Sequence, residues 1–255
     1  MIKFFRQIRQ KMLTENKVSK YLIYAIGEII LVVIGILIAL QINNNNEVKK
    51  QRDKELHYLE NIKKDLYLNI AQLDDYIAIR TKAIESATII VEHFEGKPIT
   101  DYDAFSVHTI DIYTWRKFFQ TNNTFQELVN SGNLALISDD SIKNILLNME
   151  SLYKLMKDEE AHFRYDAEIL LYEPSYSILD LNSTVQNYTY KVTNGKAGKK
   201  IDLPRKQFEV MLQDLKQKNG FVLAAYEFGV MNQQFEKMKL MCEQLIDLIN
   251  IELTE

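Results

Sequence analysis

The residue types that most often carry enzyme chemistry occur in this sequence, but their spacing does not build a site. Glu159 and His162 form the Glu-x-x-His pattern that places two di-iron ligands on one face of a helix. A di-iron bundle also needs a second such pair and two more glutamates, and His57, His93 and His108 do not follow a glutamate at that spacing. We therefore predict no metal site.

Two other kinds of candidate are equally weak. Asp74–Asp75 and Glu159–Glu160 are neighbours whose side chains diverge on a helix, so we interpret both pairs as solvated faces rather than acid–base couples. The glycines and lysines of 195–200 lack the GxxxxGK[ST] spacing of a phosphate loop, and no GxSxG, zinc ligand set or Rossmann glycine pattern is present. We expect no catalytic residue, no cofactor and no enzyme activity.

The most distinctive stretch is apolar rather than chemical: YLIYAIGEIILVVIGILIALQI, residues 21–42. At about 1.5 Å per residue it is roughly 33 Å long, which matches a hydrocarbon core of about 30 Å. A cleaved signal peptide is the alternative, but the region before the apolar run is too long and no small-x-small cleavage site follows. The sequence predicts a cytoplasmic basic amphipathic segment at 1–20, one transmembrane helix at 21–42 and an extracytoplasmic domain at 43–255.

Charge gives the predicted orientation. Six cations and one acid give residues 1–20 a net charge of +5, against four cations just after the span. By the positive-inside rule this favours a cytoplasmic N-terminus and an extracytoplasmic C-terminal domain. With −4 overall and Glu28 set aside, residues 43–255 carry −8, which argues against nucleic acid as a partner.

Three residues of the predicted span are candidates for an intramembrane interaction. Gly35 and Ala39 make a small-xxx-small pair, and Gly27 lies two turns earlier on the same stripe. Glu28 is an ionisable residue about 10 Å inside the boundary, where it pairs with a partner helix or is led to the headgroups by nearby tyrosines. The predicted partners are the lipid bilayer and either a second copy or an envelope protein.

The stretch ENKVSKYLIYAIGEIILVVIGILIALQINNNNE resembles the N-terminal signature of a large uncharacterised family of single-pass membrane proteins from Gram-negative bacteria, a domain of unknown function. The family usually reads NNWNE where this chain has Asn44 to Glu47. A second matching piece is the SGNL of Ser131 to Leu134. The resemblance implies an inner-membrane anchor with a helical periplasmic domain, and it brings no known activity.

The rest of the chain predicts an all-α fold, because only 8 glycines and 3 prolines punctuate it. Residues 47–95 contain neither, and their apolar 4,3 repeat, broken by Arg80, predicts one long helix ending at Gly96. Thr124 is expected to cap a short helix that Gly132 ends. Asp139 or Asp140 then caps a long helix that reaches about Tyr172, before Pro174.

The C-terminal third is less regular at first. Asn194–Gly195 suggests a small hairpin, and Asn219–Gly220 is expected to divide two helices. The last helix should bury one stripe, with Cys242 as a core residue: Phe228, Met231, Phe235, Met238, Cys242, Leu245 and Ile249. Packed together, these helices predict an antiparallel bundle.

Two function classes follow. The first is a membrane-anchored helical interaction or scaffold protein. The second is a sensor or accessory subunit that couples a periplasmic signal to a membrane partner through its span. With only about 20 cytoplasmic residues, such a sensor would need that partner for its output.

Overall fold

The computed structural model describes residues 18–113 and 116–254, and over these ranges the protein is all-α, without a strand. Residues 1–17, which hold most of the predicted basic amphipathic segment, lie outside the described part. The helices are α1 (Val18–Phe94), α2 (Tyr102–Tyr113), α3 (Asn123–Asn130), α4 (Asp140–Ala167), α5 (Glu173–Ile178), α6 (Leu181–Val192), α7 (Arg205–Met211) and α8 (Leu215–Glu252). A 3-10 turn, Asn133–Leu136, precedes α4, and a π-helix, Glu168–Tyr172, follows it.

Contacts divide the chain into two units, Met1–His57 and Tyr58–Glu255. In the first, α1 carries an 18-residue window of mean hydropathy 2.7, none of it buried, so this helix is long and apolar enough to cross a membrane. The helix continues through the four asparagines at 43–46. There Gln41 Nε2 donates to Asn45 Oδ1 at 3.0 Å, an i,i+4 pair that supports the helical backbone.

The second unit holds the core. The predicted stripe of α8 is confirmed, because all seven of its residues are buried. The α1 face supplies Leu59, Ile62, Leu66, Leu73, Ala83, Ala87 and Ile90 to the same cluster. Cys242 is fully buried, and burial raises the pKa of its thiol to about 12. The core is therefore built largely from long helices that share apolar faces, as the 4,3 repeats indicate.

Polar contacts align α1 with α8 along most of their shared length. Lys63 meets Asn250, Asp74 meets Lys239, Thr81 meets Asn232 and Glu95 meets Lys218. Each step forward along α1 is matched by an equal step backward along α8. The aromatic rings of Tyr76 and Phe235, with centroids 6.0 Å apart, lie between these pairs.

The sequence predicted that the long helix would end before Pro174, and this prediction is wrong. The chain changes instead to the π-helix, where the Glu173 N–H donates to the Glu168 carbonyl, and continues into α5 with Pro174 in its first turn. Proline is tolerated in the first turn of an α-helix, and the π-turn that precedes it departs from the regular α-helical hydrogen bonding that an interior proline would interrupt.

The expected division at Asn219–Gly220 is also wrong. The break lies at 212–214, where Asp214 accepts the Lys216 N–H at 2.8 Å and caps α8. Gly220 lies inside α8 because a Cβ there would come within 2.6 Å of Leu171 Cδ2 in the π-helix. The glycine allows close helix packing rather than ending a helix.

The predicted hairpin at Asn194–Gly195 is a helix end. Asp180 caps α6 by accepting the N–H groups of Asn182 and Ser183. Asn194 and Gly195 have φ of 50° and 81°, and the Gly195 N–H donates to the Tyr190 carbonyl at 2.8 Å. Helices commonly end in left-handed residues whose N–H groups donate to carbonyls of the last turn. An Asn-Gly pair suits this helix C-terminus as well as it suits a hairpin turn.

The helix starts around α3 and α4 were predicted with mixed success. Asp139 caps α4 by accepting from Ser141 and Ile142, as expected, and Gly132, with φ of 73°, follows the end of α3. The Thr124 cap is wrong: α3 begins at Asn123, and Thr124 gives both its N–H and its hydroxyl to Asp65 Oδ2 on α1. A tertiary carboxylate replaces the local capping box, which sequence spacing alone cannot reveal.

Candidate functional site

The three candidate residues of the apolar segment lie on one continuous helix. Gly35 and Ala39 are exposed, and Glu28 is partly buried. A Cβ added at Gly27 or Gly35 would meet no atom within 4 Å. Within the described chain, the small-residue stripe is therefore open for the close approach of another helix.

A buried polar cluster in the second unit is the other notable arrangement. It surrounds the non-helical chain of 116–122, whose backbone groups cannot bond to one another in a helix or sheet. Asn69 on α1 takes both polar groups of Thr121: its Nδ2 donates to the carbonyl at 2.8 Å and its Oδ1 accepts the N–H at 2.7 Å. Tyr76, two turns further on, donates its hydroxyl to the Lys117 carbonyl.

Arg80 lies on the same face of α1 as Asn69 and Tyr76 and also bonds to the 116–122 segment. Its interpretation as a break in the apolar stripe is therefore wrong. Its side chain is 1% exposed, its Nη2 donates to the Arg116 carbonyl at 2.9 Å, and its guanidinium lies 4.5 Å from the centre of the Phe228 ring. Burial lowers the pKa of Arg80 to about 10, which leaves it charged at neutral pH. The residue is part of the core.

Helix α4 completes the cluster from another side. Glu160 accepts the Phe118 N–H on Oε1 at 3.1 Å and the Lys157 ammonium on Oε2 at 2.7 Å, and Lys157 also donates to the Phe118 carbonyl. At 2% exposure, Glu160 corrects the prediction that the Glu159–Glu160 pair lies on a solvated face. Every residue from 116 to 118 thus has a backbone group bonded to a side chain from α1 or α4.

The sequence contains a periodic signal for this cluster. Asp65, Asn69, Tyr76 and Arg80 are spaced 4, 7 and 4 residues apart, which places them within about 60° of one another around a helix. When polar residues recur at helical spacing next to an apolar stripe, the pattern indicates a buried helix face that contacts polar groups elsewhere in the fold. The identity of the partners, which are the 116–122 segment and Thr124 of α3, 36 to 59 residues later, comes only from the structure.

A second cluster links α1, α2 and α6. The buried Ser86 hydroxyl lies 2.9 Å from His108 Nδ1 and 3.4 Å from Asp111 Oδ2. Asp111 also accepts from Lys82 at 2.9 Å and from the Tyr188 hydroxyl at 3.2 Å. The Ser86 hydroxyl lies within hydrogen-bond distance of both His108 and Asp111. In a Ser-His-Asp triad, by contrast, the carboxylate bonds to the histidine. The arrangement is therefore a buried tie between helices and differs from a serine nucleophile with its histidine base.

This cluster predicts a pH dependence of stability. Burial, with a smaller effect from Lys82 and His93, holds the pKa of His108 below its ordinary value, although Asp111 opposes the shift. The unfolded chain therefore takes up a proton at higher pH than the folded chain, so stability is full above about pH 6.5 and falls as the pH drops through the lowered pKa.

We expect the melting temperature to fall between pH 7 and pH 5, and His108→Gln to reduce that fall. His162→Gln is the matched control, because the His162 side chain is 65% exposed and pairs with Asp166 on the surface of the same helix. Circular dichroism melts at both pH values measure the difference. Equal pH slopes in wild type and His108→Gln would contradict the assignment.

The acidic candidates of the sequence do not converge. His162 pairs with Asp166 at 3.6 Å, and Asp74 pairs with Lys239 at 2.6 Å. Glu159 lies near Glu227, whose carboxyl pKa is raised by burial and then by that neighbouring charge. In residues 18–113 and 116–254, no three His, Cys, Asp or Glu side chains are grouped as metal ligands would be.

Fold and site together define a class: an all-α protein with one candidate membrane-spanning segment in its first helix and a polar cluster in its helical core. A family described as a family of unknown function, DUF6090, matches residues 28–177. The chain belongs to this family. The matched region contains the 116–122 segment and every side chain that bonds to its backbone. No curated protein and no solved structure matches the chain.

Proposed function

We propose that the protein is a membrane-anchored helical interaction or scaffold protein. The observation that carries this proposal is the apolar segment of α1, whose residues 29–42 are all exposed and have no partner surface within the described chain. Exposed apolar surface on this scale is unfavourable in water and favourable in lipid. The bilayer is therefore the first partner, and the segment is its single span.

The second unit is proposed to be an antiparallel helical bundle. The support is the pairing of α1 with α8, in which residue numbers rise on one helix as they fall on the other. The charge asymmetry around the span supports a periplasmic location for this domain, with the N-terminus in the cytoplasm and the span in the inner membrane. The resemblance of residues 15–47 to Gram-negative single-pass proteins supports the same location.

Thiol labelling tests this topology. A cysteine at the exposed position Lys199 should react with a membrane-impermeant thiol reagent added from the periplasmic side of intact cells. The wild-type chain is the control, because its one cysteine is fully buried with a raised pKa and should stay unlabelled. Labelling of Lys199→Cys only after cell lysis would reverse the orientation.

Glu28, Gly35 and Ala39 are proposed as the contact between spans, with a second copy or an envelope protein as partner. We expect Glu28→Gln and Gly35→Leu each to weaken association by about 0.6–2 kcal/mol, because one loses a polar contact and the other fills the space of a partner backbone. Crosslinking in native membranes measures the few-fold change, and circular dichroism should show unchanged helicity. Wild-type crosslinking in both variants would make the span a passive anchor.

A sensor or accessory subunit is the second candidate. The observation that favours it is a cleft of about 270 Å³ beside the π-helix, lined by Tyr113, Lys117, Arg164, Glu168 and Tyr172. Under this proposal the span transmits a periplasmic binding event to a membrane partner through Glu28.

A further inference from the structure

A cleft opens beside the π-helix in the second unit. Its wall consists of Arg164 from the last turn of α4, Glu168 and Tyr172 from the π-helix, Tyr113 from the end of α2, and Lys117. Its volume is about 270 Å³. This is just below the roughly 300 Å³ at which pockets for drug-sized ligands begin, so the cleft has room for a smaller metabolite and not for a peptide.

The charge around the cleft is positive in a domain that is acidic overall. Lys117 and Arg164 line it, and the exposed Arg116, which precedes Lys117, adds a third cation next to it in sequence. Among the described residues of the lining, Glu168 is the one carboxylate. The nearby Glu160 is already engaged by Lys157 and the Phe118 N–H. A positive excess therefore faces the opening.

The wall is held in place by a chain of hydrogen bonds. The Tyr172 hydroxyl donates to the Tyr113 carbonyl at 3.0 Å, the Tyr113 and Ser175 hydroxyls lie 2.6 Å apart, and Ser175 donates to the Leu171 carbonyl at 2.6 Å. The π-turn that supplies Glu168 and Tyr172 is wider than an α-turn, and such turns often occur at functional sites. A fixed wall loses little freedom when a ligand binds.

We propose that this cleft binds a small anionic molecule through a carboxylate or phosphate group. The Arg164 guanidinium offers a two-pronged donor to such a group, and the Lys117 ammonium offers a point charge. The tyrosine rings provide an apolar wall for the rest of the ligand. The inference is independent of the membrane topology proposed above, so its failure would leave that proposal standing.

Titration calorimetry tests the site with the full-length protein in nanodiscs of neutral lipid. The probes are inorganic phosphate and succinate, with chloride added to equal ionic strength as the reference. We expect saturable binding of at least one probe, a loss of tenfold or more in affinity for Arg164→Gln and for Lys117→Gln, and a smaller loss for Arg164→Lys. Lys154→Gln is the control, because this substitution also removes one positive charge from α4. The Lys154 side chain pairs with Glu150 and is 72% exposed.

Circular dichroism melts of each variant separate lost binding from lost folding, and Arg164→Lys retains the charge if Gln disturbs the helix. Repeating the titration with phosphatidylglycerol in the nanodiscs identifies the source of the anionic group. Competition by this lipid assigns a headgroup, and unchanged binding assigns a soluble ligand. Absence of saturable binding in the wild type, or an equal loss in Lys154→Gln, would overturn the proposal.

Discussion

Replacing Arg80 with alanine is expected to destabilise the second unit by about 3–5 kcal/mol. The change leaves the Arg116 carbonyl without its buried donor, at about 1–3 kcal/mol, and opens a cavity beside Phe228 in a packed core. It also removes a positive charge that acts on Glu160. For a domain of this size, the melting temperature of the detergent-solubilised chain should fall by roughly 10 °C.

Two further variants make the Arg80 result specific. Arg80→Lys keeps the charge but not the planar donor, so we expect an intermediate loss. Lys64→Ala removes a cation from the exposed side of the same helix, where it bonds only to Asn61, and should change stability by about 0.5 kcal/mol or less. A melting temperature for Arg80→Ala within 2 °C of the wild type would show that the buried guanidinium does not stabilise the fold.

Asn69→Ala should have the second largest effect, a loss of about 2–4 kcal/mol. This side chain is 1% exposed, and its amide satisfies both the N–H and the carbonyl of Thr121. Truncation leaves two backbone groups unpaired at about 1–3 kcal/mol each, partly offset where water enters. Urea unfolding followed by circular dichroism measures the change, since the midpoint falls while the slope stays constant.

The comparison for Asn69 is built into the same helix. Asn61→Ala removes an amide that bonds to the exposed Lys64 ammonium, and we expect a change of about 0.5 kcal/mol or less. Asn69→Asp keeps the acceptor for the Thr121 N–H and loses the donor, so its stability should lie between those of Asn69→Ala and wild type. If Asn61→Ala and Asn69→Ala unfold at the same urea concentration, the 116–122 segment does not depend on this clamp.

The sequence predicted the long helices well because their apolar periods are strong and their ends are marked. The α8 stripe, the end of α1 near Gly96 and the Asp139 cap follow from local chemistry alone. Predictions failed where a distant contact decided the outcome. Gly220 accommodates Leu171, and Thr124 is bonded to Asp65, neither of which is near in sequence.

The polar cluster shows the same limit for the site. A lone arginine in an apolar stripe indicates a break on composition, because an unpaired buried charge is costly. Here the 116–122 segment supplies the Arg116 carbonyl as an acceptor, and Phe228 supplies a ring face. Sequence reasoning places Arg80 on the correct face, but only the fold supplies the partners that make its burial affordable.

The pairing of α1 with α8 also means that the second unit cannot finish folding until α8 has been synthesised. Lys63 and Asn250 touch across 187 residues of chain, so the apolar face of α1 emerges from the ribosome long before α8 exists to cover it. Until then that face is an exposed hydrophobic surface, prone to self-association. A chain truncated before α8 should therefore accumulate as aggregate or be degraded, however well its earlier helices form.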